Sequence, residues 1–389
     1  MSTSTREQHM TERPTTVKGR TRLRGRPMLY TSYGSEMALL NTGTKRVMVG
    51  LLLILGAAMP FLVLDPQLQT LAAACVAAIG AIGLNLITGY AGQVSLGHAF
   101  FLGVGAYTAA VLSGDPNGRS LGFGIQEILI WLPAAGIAAA LVGVVIAPLA
   151  TRLRGLYLAL VTLGLVFVGE YFFSSWTDIS GGTGIGRASA VPVLFGQPLN
   201  VTGPNFTKDQ KLFWLAFVLL VVFALAARNI ARSRVGRAFT AIRDRDIAAG
   251  VMGVSLARYK TTAFAVSSFY AGCCGALFYL TTGFFTPERL VNLEVSVLFI
   301  AMVLVGGAGT ISGAILGAFF FTFLPKLTRA LPEYVPFVSG SATETPNVFQ
   351  LELVLYGALI IVFLIFEPRG LFGLWLRIRN YWKAWPFSY

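Results

Sequence analysis

The chain offers few residues that could do catalytic chemistry. Its two histidines, His9 and His98, form no metal-ligand spacing, and its three cysteines sit in apolar runs, Cys75 in one and Cys273 with Cys274 in another. These cysteines read as small apolar packing residues. No Ser/His/Asp arrangement, phosphate-binding lysine loop or paired-histidine motif stands out, so neither an enzyme nor a metal site is expected. What does stand out is a handful of polar groups set in apolar surroundings. Gly89 to Phe100 reads GYAGQVSLGHAF, which puts Tyr90, Gln93, Ser95 and His98 among glycines, Gly92 included, between two apolar runs. Irregular backbone is tolerated at membrane depth only where protein or a water-filled cavity satisfies its polar groups. The segment is therefore either a broken or re-entrant element lining a pathway, or a tight turn whose glycines permit close packing.

A second stretch, Gly306-Gly307-Ala308-Gly309-Thr310-Ile311-Ser312, matches Gly89 to Ser95 in the pattern G-x-A-G-x-[VI]-S. Transporters often contain internal repeats with pathway elements in matching positions. In a chain with 43 glycines such a match also arises by chance, and the sequence leaves both explanations open. Among carboxylates, Glu170 lies inside an apolar run and Glu294 near the outer end of another. A charge at the bilayer centre costs on the order of 3 kcal/mol or more and usually faces a cavity or a partner. Glu170 is thus a pathway residue or one that reaches the outer interface, and Glu294 reads as interfacial. There is no row of carboxylates of the kind a proton or sodium pathway would use.

The elements that must position these groups are apolar. Of 389 residues, 55% are hydrophobic and only 12% are charged, about half the charge of a soluble chain, and the mean hydropathy is +0.69. Roughly 20 apolar residues cross the hydrocarbon core as a helix. Ten candidates appear, at 47–64, 68–88, 97–112, 128–149, 156–175, 212–228, 261–281, 292–306, 310–325 and 350–366, of which the third, eighth and ninth are short or glycine-rich. The expected fold is all-α, a polytopic membrane protein of about ten spans. Residues 1–46 read as a disordered basic tail, 47–375 as the transmembrane domain and 376–389 as a second tail. The alternate connections that begin with 1–46 carry 23 of the 30 Lys and Arg but six of the 17 acids. By the positive-inside rule both termini and the 229–260 loop are expected in the cytoplasm. The formal charge of +13 is then an orientation signal with some attraction for anionic lipid, and nucleic acid is not an expected partner.

The 229–260 loop is the largest inside connection between spans. Phe239, Ile242 and then Asp246 or Ile247 recur at helical spacing, with Arg237, Arg243 and Arg245 on the other face. Such a helix either lies on the membrane surface with its basic side toward headgroups or docks a cytoplasmic partner.

Taken together, the motifs resemble a known family. NLITGYAGQVSLGHAFFLGVGAYTAAVL (Asn85 to Leu112), RLRGLYLALVTLG (Arg152 to Gly164), SGGTGI (Ser180 to Ile185), LVGGAGTISGAILGA (Leu304 to Ala318) and FEPRGLFG (Phe366 to Gly373) are similar, in order, to the permease subunits of branched-chain amino-acid ABC importers. The resemblance covers roughly residues 47 to 375. It implies an ABC importer permease fold, alternating access, and an E-A-A-x-x-x-G coupling loop that docks into ATPase subunits. Ile247-Ala248-Ala249-Gly250-Val251-Met252-Gly253 keeps the alanines and the glycine at that spacing, with isoleucine in the glutamate place and Asp246 one residue earlier. On this resemblance Phe239, Ile242, Ala248 and Ala249 would form the docking contact, with Gly253 allowing close approach and Arg237 and Arg243 as a charged rim. Tyr90, Gly92, Gln93, Ser95, His98, Glu170, Gly306, Gly307, Gly309 and Ser312 would be pathway candidates.

The implied partners are a second homologous permease chain, two cytoplasmic ATP-binding subunits that hold the ATP and magnesium, an extracytoplasmic substrate-binding protein, and membrane lipid. This chain itself would carry no cofactor. The implied substrate is a branched-chain amino acid, the implied location the cell membrane. Urea, short amides or another small polar solute form the alternative substrate class, and a stand-alone ion-coupled carrier is the alternative from a different class.

Overall fold

The computed structural model describes residues 43–153, 155–182, 184–203, 206–329, 348–367 and 369–384. Most of the 1–46 tail and the end of the 376–389 stretch lie outside the described residues. The chain divides into two units, Met1–Gly50 and Leu51–Tyr389. In the first, residues 43–50 are described and are helical; the second carries the bundle and the site.

Among the described residues, seven helices are long and apolar enough to cross a membrane: Asp65–Tyr90, Ile128–Arg152, Leu156–Ser175, Lys208–Arg232, Leu256–Thr282, Pro287–Gly306 and Ile311–Arg329. Shorter apolar stretches run over Arg46–Leu62, His98–Ser113 and Gln350–Phe363. Each of the ten expected spans therefore has a helix. The eighth and ninth are longer than their apolar runs suggested, because Pro287–Leu290 extends the one and Pro325–Arg329 continues the other. The third is short in fact as well as in sequence.

In chain order the helices are α1 (Gly43–Leu62), α2 (Asp65–Asn85, running into a π turn over Leu86–Tyr90), α3 (His98–Ser113), α4 (Ile128–Arg152), α5 (Leu156–Ser175), α6 (Thr177–Ser180), α7 (Lys208–Arg232), α8 (Arg234–Val251), α9 (Leu256–Thr282), α10 (Pro287–Leu290), α11 (Leu293–Gly306), α12 (Ile311–Arg329), α13 (Val348–Phe366) and α14 (Gly370–Ala384). Two elements are central. In their most apolar stretches 83% of α2 and 78% of α9 are buried, against 22% of α7. The cause is composition. α2 reads AAACVAAIGAIG, and small residues allow helix backbones to approach closely in lipid, where no hydrophobic force drives helices together. α9 crosses α3 so tightly that a Cβ at Gly275 would collide with the Leu102 carbonyl, and one at Gly105 with the Gly272 backbone. α4 packs on both α9 and α3, and α12 and α7 pack on α2.

The two ends of this bundle differ. At one end α3 and α9 terminate beneath the connections 114–127 and 176–207. Strand β1 (Arg187–Ala188) pairs antiparallel with β4 (Phe284–Phe285), and β2 (Val193–Leu194) with β3 (Gln197–Pro198). Buried Arg187 donates to the carbonyls of Leu121 at 2.6 Å and Ile179 at 3.0 Å, which ties both connections together. Burial lowers its pKa from the ordinary arginine value, yet arginine stays charged in proteins, so carbonyl partners are what make the burial tolerable. The Tyr279 hydroxyl bonds Ser113 Oγ at 3.1 Å and accepts from the Ala190 N–H at 2.8 Å. The opposite end holds the glycine turns, α8 and the start of α14.

α14 was not foreseen. The stretch from 376 read as a tail continues, through Ala384, a helix begun at Gly370. Trp375, Ile378 and Tyr381 are exposed on it, and Arg377 bonds Glu367 at 2.8 Å.

Candidate functional site

The site begins where α2 stops being an ordinary helix. After Asn85 the backbone widens into the π turn Leu86–Tyr90, a feature that often marks functional sites. It then runs without helix from Ala91 to Gly97 before α3 starts at His98. Along it Gly92 and Val94 are exposed, and the residues between and after them turn inward. Gln93, Ser95 and His98 are 6%, 3% and 2% exposed. Its backbone polar groups are satisfied from other helices: the Leu96 N–H donates to Thr162 Oγ1 of α5 at 2.9 Å, and the Ala99 N–H to Ser296 Oγ of α11 at 3.0 Å. Thr88 Oγ1 donates to the Gln93 carbonyl at 3.3 Å. The element is thus a broken helix with one side packed against protein, which gives its irregular backbone the partners it needs. Three buried side-chain atoms in it, both amide atoms of Gln93 and Nε2 of His98, have no hydrogen-bond partner, and the His98 ring lies 4.7 Å from that of Phe299.

The second glycine stretch sits directly against the first. Asn85, fully buried, donates from Nδ2 to the Thr310 carbonyl at 2.9 Å and accepts at Oδ1 from the Gly309 N–H at 2.8 Å. A side chain at Gly89 would strike Gly309 N. The fourth residue of each motif adopts positive φ, +68° at Gly92 and +79° at Gly309, where glycine carries no Cβ penalty. The likeness of the two stretches is therefore matched by contact and by the conformation of their fourth residue, although Gly307 at φ +122° has no counterpart at Tyr90. They differ on their C-terminal sides: α12 begins at Ile311, whereas α3 waits until His98. Gly307, at φ +122°, has the Arg369 carbonyl 2.7 Å and the Phe372 Cβ 3.2 Å from where a Cβ would stand, so the root of α14 rests on the same turn. Gly306 faces Gly313 across the α11–α12 contact, and Ser312 is exposed in the first turn of α12.

α8 completes the cluster. Ser233 Oγ accepts from the Val235 N–H at 3.1 Å and caps its start. Phe239 and Ile242 are buried, at 0% and 5%, against this chain's own α7, α9 and π turn. A helix whose apolar face is covered by its own chain has no such face to lay into lipid. Arg243 reaches inward, donating from Nη1 to the Gly89 carbonyl at 2.9 Å, while its Nε bonds Asp244 at 3.0 Å. Its methylenes fill the space in front of Gly92, where a Cβ would come within 2.6 Å of Arg243 Cγ. At Arg245 the backbone leaves helical geometry (φ −155°, ψ 96°), and the last turn points elsewhere. Ile247, Val251 and Met252 are 70%, 84% and 83% exposed, with Ala248 and Gly253 also exposed and Ala249 buried.

These placements redirect several expectations. Phe239, Ile242 and Ala249 face this chain and are unavailable to a partner, because the apolar face of α8 is already covered by α7, α9 and the π turn. The exposed apolar surface is instead Ile247, Ala248, Val251 and Met252. Arg243, though exposed along much of its side chain, is tied to the cluster through Gly89, while Arg237 is exposed and Asp246 partly so. Tyr90 lies in the π turn, half-buried. Glu170, partly exposed on α5, is not brought to the cluster. Sequence reading missed Asn85, Thr162 and Ser296, although a lone asparagine inside an apolar run was a visible signal for the first.

Two cavities adjoin these elements. A cleft of about 230 Å³ is lined by Gly92, Gln93, Leu153, Leu158, Arg243 and Lys260 among others. An apolar groove of about 510 Å³ lies between α3, α4 and α5, with Phe100, Tyr107, Val142, Val168 and Phe172 on its walls. Among the described residues no group of three or more His, Cys, Asp or Glu could hold a metal ion.

Residues 67–364 match the family model described as "Branched-chain amino acid transport system / permease component". The chain is 32% identical over 362 residues to the high-affinity branched-chain amino acid transport system permease protein LivM of Escherichia coli, covering 87% of this chain and 78% of that protein. The corresponding LivM of Salmonella typhimurium is 31% identical, with 85% and 76% covered. A shorter match, 32% identical over 127 residues, links 32% of the chain to 36% of the autoinducer 2 import system permease protein LsrC of Klebsiella pneumoniae. No solved structure matches.

Proposed function

The chain belongs to the permease-component family of branched-chain amino-acid transport systems, and from that premise we propose that it forms half of the translocation pathway of an ATP-driven importer for apolar amino acids. It is a multi-pass membrane permease component and not an enzyme. In our reading, ATP and magnesium bind two cytoplasmic partner subunits, a second homologous permease supplies the other half, and an extracytoplasmic binding protein delivers the substrate. The observation that carries the coupling to ATPases is the exposed apolar tip of α8, Ile247, Val251 and Met252, projecting from a helix that also carries Arg234, Arg237 and Arg245. Exposed apolar groups clustered on a polar element mark interaction sites.

The mechanism follows from where the tip is rooted. ATP draws the ATPases together, the docked tip moves, and α8 passes the motion to the two glycine turns at the end of α2 and α11. The unpartnered Gln93 amide and His98 Nε2 stand in the broken segment between α2 and α3. An unsatisfied buried polar group costs about 1–3 kcal/mol, so a second arrangement that hydrates or pairs them is energetically accessible. The groove beside Phe100 and Tyr107 offers apolar walls for the substrate side chain.

The orientation we assign places both termini and α8 in the cytoplasm and the 114–127 and 176–207 connections outside, a reading that the charge asymmetry supports. Single cysteines at Asn117 and Gln197 should react with an impermeant maleimide added to intact cells; reaction at either only after lysis would invert or break this topology. The substrate class is tested by competition. Uptake of radiolabelled leucine by cells expressing the complete importer should be inhibited by isoleucine and valine and not by urea or acetamide. Inhibition by the amides alone would assign the alternative substrate.

A further inference from the structure

Arg243 occupies a position that neither surface charge nor docking explains. It leaves the exposed side of α8 to donate to a backbone carbonyl, Gly89 O, at 2.9 Å. That carbonyl lies at the C-terminal end of α2, where unpaired carbonyls and the helix dipole favour a cation. The same turn carries Asn85, whose amide holds Gly309 N–H and Thr310 C=O of the second glycine turn. Gly309 in turn stands with its own Cβ position 3.2 Å from Arg243 Nη1 and 3.4 Å from Gly89 O.

We propose that Arg243 is the positioning residue through which movement of α8 reaches both glycine turns together, with the Asn85 amide as the relay to the second. This rests on the reading of α8 as the ATPase-coupled element. The glycines leave no side chain that could yield between the parts: Arg243 methylenes touch Gly92 directly, and Gly89 meets Gly309 backbone to backbone. The kink at Arg245 separates the exposed tip, free to dock, from the latch, which is bonded to the Gly89 turn. Arg243 is therefore not a rim charge. The bond from Arg243 Nε to Asp244 is partly exposed and contributes little stability, but it orients the guanidinium plane toward Gly89.

The test uses the complete importer in proteoliposomes. Arg243→Met keeps the length and the packing against Gly92 and removes the donor; Arg243→Lys restores a donor. Arg243→Met should retain its ATPase subunits and hydrolyse ATP while leucine moved per ATP falls about tenfold or more, the loss that corresponds to about 1.4 kcal/mol of coupling. Arg243→Lys should recover most of that ratio, which a purely structural role would not give. A second readout needs no substrate. Spin labels at the exposed positions Ala241→Cys and Ala308→Cys should keep their separation when ATP is added to the otherwise wild-type complex and change it in Arg243→Met. Unchanged leucine per ATP in Arg243→Met, no advantage of Lys over Met, or loss of the ATPases from Arg243→Met would each overturn the latch. A wild-type complex that moves no leucine would defeat the substrate reading instead, and the label separation would still decide the latch.

Discussion

Met252→Asp is expected to strip the ATPase subunits from the assembly. Met252 is 83% exposed, beyond the kink at Arg245, beside Val251 at 84% and one turn from Ile247 at 70%. A carboxylate placed where an apolar contact forms is buried without a partner, at a cost of about 3–5 kcal/mol. At 1.4 kcal/mol per factor of ten, affinity falls more than about a hundredfold. Affinity capture of the permease in neutral detergent should then recover no ATPase, and ATP-driven uptake should vanish. Met252→Leu keeps an apolar side chain of similar volume and should behave as wild type. A tip that merely rests on lipid predicts otherwise: Met252→Asp would retain its ATPases and its uptake, and docking would have to lie elsewhere.

Gly92→Leu should abolish uptake while the protein still inserts. At φ +68° a non-glycine residue costs roughly 1–2 kcal/mol. Its Cβ would also come within 2.6 Å of Arg243 Cγ, 3.0 Å of Arg243 Cβ and 3.1 Å of Arg243 Cα. Overpacking of this kind adds about 1–3 kcal/mol. The Cα atom belongs to the α8 backbone and cannot rotate away, so α8 has to move off the turn. Transport is thus lost by displacing the coupling helix and not by plugging a passage. Gly283→Asn is the control. It has φ +74° with nothing within 4 Å of its Cβ position, and asparagine tolerates the left-handed region, so uptake should be near normal. Normal uptake by Gly92→Leu would remove the glycine turn from the mechanism.

The spans were legible because a helix that crosses lipid must be apolar over its whole length, and that leaves a run that composition cannot hide. Their ends were less so. Pro287–Leu290 extends the eighth through residues, Glu288 and Arg289 among them, that look like a loop. α14 was not foreseen because Glu367-Pro368-Arg369 ends the apolar run before it, although Trp375, Ile378 and Tyr381 resume a helical spacing beyond. At the site, the glycines and the buried Gln93, Ser95 and His98 announced themselves as polar or flexible residues in apolar company. Their partners did not. Arg243 and Asn85 bond to the backbone of Gly89, Gly309 and Thr310, and a carbonyl or N–H acts the same whatever residue carries it. The kink at Arg245 was equally silent, since arginine is a good helix former.

The central claim is that ATPases working through α8 drive this pathway. Proteoliposomes holding the assembled importer, with binding protein outside and nucleotide inside, test it most directly. Radiolabelled leucine should accumulate with ATP and magnesium inside, and not with a non-hydrolysable analogue or with proton or sodium gradients alone. Accumulation driven by an ion gradient without ATP would contradict the account and make the chain a carrier working by itself.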